Sequence, residues 1–201
     1  MPRRQRRRSR TLQMLCLLAA VFAMAGCKTA PVQDPAQDDA TSAPVDLDRF
    51  MGKWHVIAHV PYFGERGHVA SSFTYTLQDD GDIAVRYEYR EGFNEPLQAR
   101  AARASVEEGS GNRLWTMWLL HVVPAKLRIL EVAPDYSWAL VEYPGRDLAW
   151  VYARNPLMDE AQYRELEGRM RGYGINTDKL RRIAQVREQA GKLGFAPASK
   201  Q

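Results

Sequence analysis

The sequence predicts an all-β domain, an eight-stranded antiparallel up-and-down β-barrel with one α-helix packed on its outside. From Gly52 onward, apolar residues alternate with more polar ones in short segments, which is the pattern of strands with one wetter face. Turn-forming pairs such as Asp80-Gly81 and Pro144-Gly145 separate these segments, as in an antiparallel meander. After residue 154 the apolar period becomes helical. Closing the meander removes its exposed edges, and a β-sandwich is the competing all-β arrangement.

The first three strands show the clearest alternation. They are expected at 54–60, 73–77 and 83–90, and each contains the aromatic and β-branched residues that favour strands. The remaining strands are expected at 97–105, 113–120, 126–132, 137–143 and 147–154.

A single helix is expected after the last strand. The apolar residues with helical spacing are Met158, Ala161, Tyr163, Leu166 and Met170. Two glycines at 172 and 174 favour an end to the helix at that point. An apolar stripe of this kind is expected to cover the outer wall of the barrel.

The first 26 residues have the features of a signal peptide. Six arginines precede an apolar run at 12–26, whose 15 residues are fewer than the roughly 20 that a membrane-spanning helix needs. A buried core helix is the alternative, but the flanking arginines and the polar segment that follows disfavour it. The sequence therefore predicts export.

The net charge of the whole chain is +4, and its isoelectric point is about 9.1. This excess of positive charge lies in the signal segment, because removing its six arginines leaves 22 basic residues against 24 acidic ones. A nucleic-acid partner is therefore not expected.

Met24-Ala25-Gly26-Cys27 resembles the lipobox of bacterial lipoproteins, with methionine where leucine is usual. The resemblance implies that Cys27 carries lipid and anchors the protein to a membrane. Lys28 follows the cysteine where an inner-membrane retention signal has aspartate, which favours the outer membrane, with the domain facing the periplasm. Cys27 would be the only cysteine of the mature chain, so no intramolecular disulfide is expected.

The chain has room for one folded domain. Residues 27–44 form the lipidated N-terminus and a tether, because three prolines and three acids leave almost nothing to bury. The domain is expected at 45–185, and a basic C-terminal tail at 186–201.

Gly52-Lys53-Trp54 resembles the G-x-W signature of lipocalins, and the segments 45–54, 133–141 and 144–154 look like those of bacterial lipocalins in the right order. The resemblance covers about 45–185. It implies that Trp54 lies at the closed end of the barrel, beside Gly52, and that Arg154 packs across the indole as a structural plug. His55, Val56 and His59 replace a tyrosine, an acid and an arginine that the family commonly has there.

The sequence offers no catalytic constellation, metal site or cofactor motif. It lacks G-x-S-x-G, and its acids lie mainly in turns and in the tether. His55 and His59 would share a face on a helix, but on a strand they lie about 13 Å apart. Because Trp54 should point inward, both histidines are expected to point out of the barrel.

The inward phase of the strands predicts a ligand pocket. The residues expected to line it are Val56, Ala58, Phe73, Tyr75, Val85 and Tyr87. In lipocalins the loop after the first strand covers the open end, which implies that Tyr62, Phe63 and Arg66 contact a ligand's head group.

The resemblance implies a binding protein that carries fatty acids such as palmitate, or lysophospholipids, in envelope maintenance or stress response. The alternative is a non-enzymatic envelope interaction protein whose barrel is filled by its own side chains. The sequence is also compatible with a homodimer.

Overall fold

The computed structural model describes residues 43–119 and 123–200. Cys27, the signal peptide and the first part of the tether lie outside the described residues. The helices are α1 at Leu47–Phe50 and α2 at Glu160–Gly172. The strands are β1 at Gly52–His59, β2 at Val69–Leu77, β3 at Ile83–Arg90, β4 at Gln98–Val106, β5 at Leu114–Leu119, β6 at Val123–Val132, β7 at Trp138–Glu142, β8 at Ala149–Ala153 and β9 at Arg181–Arg182.

The strands form a closed antiparallel barrel. Each strand from β1 to β7 pairs with the next one in the chain, and β8 pairs back with β1. The short strand β9 adds to the end of β1, beyond the residues that pair with β2. The predicted eight-stranded barrel with a helix after its last strand is therefore confirmed, and α1 and β9 are additions that the sequence pattern did not predict.

A β-bulge in β1 reverses the alternation of its last residues. Val56 lies opposite Tyr152, but the next paired residue is Ala58, opposite Val151, and His59 lies opposite Trp150. Opposed residues share one side of a sheet. Since Tyr152 and Trp150 point inward while Val151 packs in the outer apolar cluster, Ala58 faces outward and His59 faces inward.

Two predictions fail at this bulge. Ala58 does not line the barrel interior, and His59 does not point out of the barrel, because the extra residue shifts the period of two by one position. His55 precedes the bulge and keeps its outward direction, where Nδ1 lies 3.3 Å from Oε1 of Gln185.

Apolar side chains pack on both sides of the barrel wall. The inner cluster is rich in aromatic residues, among them Trp54, Tyr75 and Trp115. The outer cluster joins the wall to α2, and its helical members are Tyr163, Leu166 and Met170. Asp159 caps α2 by accepting a hydrogen bond from the backbone N–H of Gln162.

The C-terminal segment returns to the barrel after α2. The backbone N–H of Ile183 donates to Ile57, and that of Lys200 donates to Glu91 beside the open end. Residues 186–200 thus end against the loops of the open end. Within 43–119 and 123–200, none of the helices has the length and hydropathy needed to cross a membrane.

Candidate ligand site in the barrel

The closed end of the barrel is built around Trp54 and Arg154. The guanidinium carbon of Arg154 lies 3.7 Å from the centroid of the indole, within the range of a cation–π contact. Its nitrogens donate to four backbone carbonyls between Arg49 and Lys53, and Trp54 Nε1 donates to the carbonyl of Phe50 at 2.8 Å. These contacts close the base of the barrel, so the arrangement here is structural.

Gly52 permits the close approach of Arg154 to the chain. Its φ of +92° lies in the region that L side chains rarely adopt, and a Cβ at this position would lie 3.4 Å from Nη1 of Arg154. A larger residue would therefore strain the backbone beside the plug.

An aromatic wall lies above the plug. Phe73 stacks on Tyr87 with ring centroids 4.6 Å apart, and Tyr87 stacks on Tyr89 at 5.1 Å. The hydroxyl oxygens of Tyr75 and Tyr152 are 3.3 Å apart, and burial raises the pKa of both phenols well above their usual range. The residues of the predicted pocket that belong to this inner cluster are Val56, Phe73, Tyr75, Val85 and Tyr87.

Four alanines lie on the inner face of the strands that follow this wall. Ala104 and Ala139 are fully buried, whereas Ala102 on β4 and Ala125 on β6 are partly exposed. The pairing of Ala102 with Val85, and of Ala125 with Met117, places both alanines on the inner side of the barrel. Ala102 and Ala125 thus lie among larger inner residues of β5 and β6, such as Trp115 and Leu127.

A buried carboxylate lies at the open end. Glu65, in the loop between β1 and β2, is only 2% exposed. Its Oε2 lies 2.8 Å from Nδ1 of His59 and accepts a hydrogen bond from Nε1 of Trp150 at 2.9 Å. Both partners point into the barrel, so the loop places a negative group inside its mouth. The sequence analysis did not identify Glu65, because its burial depends on the path of the loop and on the inward turn of His59.

A second polar pair lies beside this carboxylate. His68 Nδ1 is 2.8 Å from the hydroxyl of Tyr87, and the imidazole stacks on Tyr89 with ring centroids 3.6 Å apart. Burial, helped by the nearby charge of Arg100, lowers the pKa of His68 to about 4. His68 is therefore neutral at physiological pH.

Contacts from β4 and from the C-terminal segment fasten the same loop. Arg100 Nη1 donates to the carbonyl of Gly64 at 3.1 Å, and its Nη2 donates to the hydroxyl of Tyr89 at 2.7 Å. The backbone N–H of Ser199 donates to Gly67 at 2.8 Å. The loop is thus tied to β4 and to the C-terminal segment by groups other than Glu65.

The loop residues that the sequence assigned to a head group lie on the solvent side. Phe63 is 93% exposed, and the side chain of Arg66 is exposed as well. Tyr62 is partly exposed at 36%, and burial of its hydroxyl, together with the charge of Glu65, raises its pKa to about 12. In this arrangement Phe63 and Arg66 flank the mouth without lining the interior.

A metal site needs several ligating side chains close together in the part of the chain that the structure describes. There, no three side chains from His, Cys, Asp and Glu are grouped so that they could hold a metal ion. The bulge places His55 and His59 on opposite sides of the sheet, so they cannot bind the same metal ion.

A closed antiparallel barrel with an apolar interior and one open end defines a class of proteins that bind small hydrophobic molecules. Residues 45–185 match the family model described as a lipocalin-like domain, and the chain belongs to the lipocalin family. The family prediction made from the sequence is confirmed. Lipocalins are generally binding proteins without catalytic activity.

The chain is similar to curated proteins from plants and bacteria. It is 30% identical to temperature-induced lipocalin-1 of Arabidopsis thaliana over 148 residues, covering 70% of this chain and 80% of the relative. It is 24% identical to outer membrane lipoprotein Blc of Citrobacter freundii over 174 residues, covering 85% and 95%. Insecticyanin of the tobacco hornworm Manduca sexta has the same fold, with a TM-score of 0.57, 16% identity and coverage of 78% and 86%.

Proposed function

We infer that this lipocalin is a membrane-anchored carrier of single-chain lipids, such as fatty acids or lysophospholipids, that serves envelope maintenance or the stress response. The observation that carries this proposal is the aromatic and aliphatic interior, which is closed at its base by Trp54 and Arg154 and bordered at its mouth by polar groups. An apolar chain suits the interior, and a polar head group suits the mouth.

Chain burial would supply most of the affinity. Removing apolar surface from water contributes about 25 cal/mol per Å², and an acyl chain presents enough surface to exceed the cost of immobilising it. In this proposal the chain passes beside Ala102 and Ala125, whose small side chains are partly exposed on the inner face.

The anchor is proposed from the sequence and from the relatives. Cys27 would carry the lipid, and the relatives named outer membrane lipoprotein support a place in the outer membrane, with the domain in the periplasm. The name temperature-induced lipocalin-1 supports the part of the proposal that concerns stress.

A second candidate is an envelope interaction protein whose barrel is filled by its own side chains. The packing of Phe50 against Trp54, Tyr75 and Trp115, with ring centroids between 5.1 and 5.7 Å apart, favours it, because these rings occupy the lower part of the barrel. In that case the loops or the outer face would bind the partner.

Native mass spectrometry and a fluorescence titration separate the two candidates. The carrier is expected to copurify with lipid and to bind dansyl-labelled undecanoic acid saturably at micromolar concentration. Palmitate should displace the probe. A protein that carries no lipid and shows no saturable binding would instead favour the interaction protein.

A further inference from the structure

The buried carboxylate of Glu65 lies where the head group of a barrel ligand would lie. It sits at the mouth beside His59 and Trp150, which face the interior, and all three residues are at most 8% exposed. From Trp150, β8 continues inward through Tyr152 toward Arg154, about 13 Å of strand at 3.3 Å per residue. A chain attached to a carboxylate at this point would therefore extend into the aromatic interior.

The two partners of Glu65 are suited to any carboxylate. An indole N–H can only donate, so Trp150 requires an acceptor at this position, and the imidazole of His59 can supply a second hydrogen bond to the same oxygen. Without an acceptor, two buried polar groups would be left unpaired. This requirement explains why the loop of a ligand-free barrel would place a carboxylate inside the mouth.

We propose that Glu65 is an internal substitute for the ligand, and that the carboxylate of a fatty acid displaces it to bind His59 and Trp150. The inference rests on the proposed carrier function and specifies its ligand as a single-chain carboxylate. It also assigns His59 and Trp150 as the residues that recognise the head group.

The exchange keeps the charge of the mouth balanced. One carboxylate leaves His59 and Trp150 and another takes its place, so the number of negative groups buried there does not change. The displaced Glu65 enters solvent, where Arg66 and other exposed cations flank the loop. Trp150 has only one N–H to donate, so Glu65 and a ligand carboxylate cannot both accept from it, which makes the two states mutually exclusive.

The loop does not have to unfold for this exchange. Gly64 is held by Arg100 and Gly67 is held by Ser199, and neither contact involves the side chain of Glu65. The side chain can therefore leave the barrel by a local rearrangement between these two attachments. While Glu65 lies inside the barrel, it blocks the site. The apparent affinity for ligand is therefore lowered in proportion to the fraction of molecules in which Glu65 has left the site.

The test compares palmitate with palmityl alcohol, which has the same chain and no charge, by displacement of dansyl-labelled undecanoic acid. Glu65→Ala is expected to tighten palmitate binding about tenfold, and by more than it tightens binding of the alcohol. Glu65→Gln keeps an acceptor for Trp150 but removes the charge, so a smaller gain of about threefold is expected. Glu108→Gln is the matched control, because it removes an exposed carboxylate from the turn between β4 and β5, and it should leave both affinities unchanged.

The recognition residues are tested in the Glu65→Ala background. Trp150→Phe should reverse most of the gain for palmitate and little of the gain for the alcohol. Thermal melting confirms that each variant folds. If Glu65→Ala does not fold, the comparison is made with Glu65→Gln. The proposal is overturned if palmitate binds wild type and the Glu65 variants with the same affinity. If none of the proteins binds the probe, the carrier function itself is wrong.

Discussion

Arg154 covers the indole of Trp54 at 3.7 Å while its guanidinium donates to the backbone that leads into β1. The arginine thus stacks on the indole and also holds the segment that joins α1 to β1. Burial lowers its pKa, but the usual value near 12.5 is so high that the group remains charged at physiological pH.

The first prediction concerns this plug. Trp54→Ala should lower the free energy of unfolding by about 3 to 5 kcal/mol, because the indole is fully buried. Arg154→Ala should have a smaller effect, and the double variant should lose less than the sum of the two, since the groups touch. Urea denaturation of the four proteins measures the coupling. Strictly additive losses would show that the contact contributes nothing to stability.

The second prediction concerns the space on the β4 side. Ala102→Trp should weaken binding of palmitate at least about tenfold, because the indole would project into the barrel interior beside the aromatic wall. Ala101→Trp is the matched control, since this alanine is exposed on the other face of the same strand. Displacement of the dansyl probe reports both affinities. Equal affinities in the two variants would place the ligand elsewhere.

The third prediction concerns acid sensitivity. His68 is neutral in the folded protein because its pKa is lowered to about 4, whereas in the unfolded chain it gains a proton below about pH 6.5. Stability should therefore fall as the pH drops from about 7 to about 5, by at most about 1.4 kcal/mol per pH unit for this one proton. Urea denaturation at several pH values measures the slope.

The variant His68→Gln should flatten this pH dependence. His55 is the matched comparison, because burial also lowers its pKa and gives a change of the same sign. His55→Gln should therefore remove only the contribution of His55 to the pH dependence of stability. An unchanged slope in His68→Gln would mean that this histidine is not the group that takes up the proton.

The fourth prediction concerns processing. Cys27→Ala should leave a precursor without lipid that no longer remains in the membrane fraction, because the acyl chains supply the anchoring free energy. Metabolic labelling with a radioactive fatty acid, followed by membrane fractionation, measures both effects. A variant that still incorporates the label would show that the acylated residue is another one.

The barrel was predictable because its pattern is local. Alternating residues such as those of β3 define their own strand without reference to the rest of the chain. The bulge in β1 was not predictable, since Val56 and Ala58 are of similar polarity and either phase satisfies the alternation. The phase is decided by the partners Tyr152 and Val151, almost one hundred residues away in the sequence.

The arrangement of the barrel mouth could not be predicted either, because it also depends on contacts between residues far apart in the sequence. Glu65 lies in a loop with no periodicity, and its burial follows only once His59 has turned inward and Trp150 is in place. The outward direction of Arg66 and Phe63 could not be predicted from the sequence, because the contact of Ser199 with Gly67 helps to set the path of the loop.

The closure of the barrel through β1 also has a kinetic consequence. Because β1 pairs with β8 across roughly one hundred residues, the last seam forms only after nearly the whole domain has been synthesised. Until then both strands keep a free edge on which other chains can add. Folding should accordingly be slow for a domain of this size, and newly made chains should depend on protection from aggregation until that seam has closed.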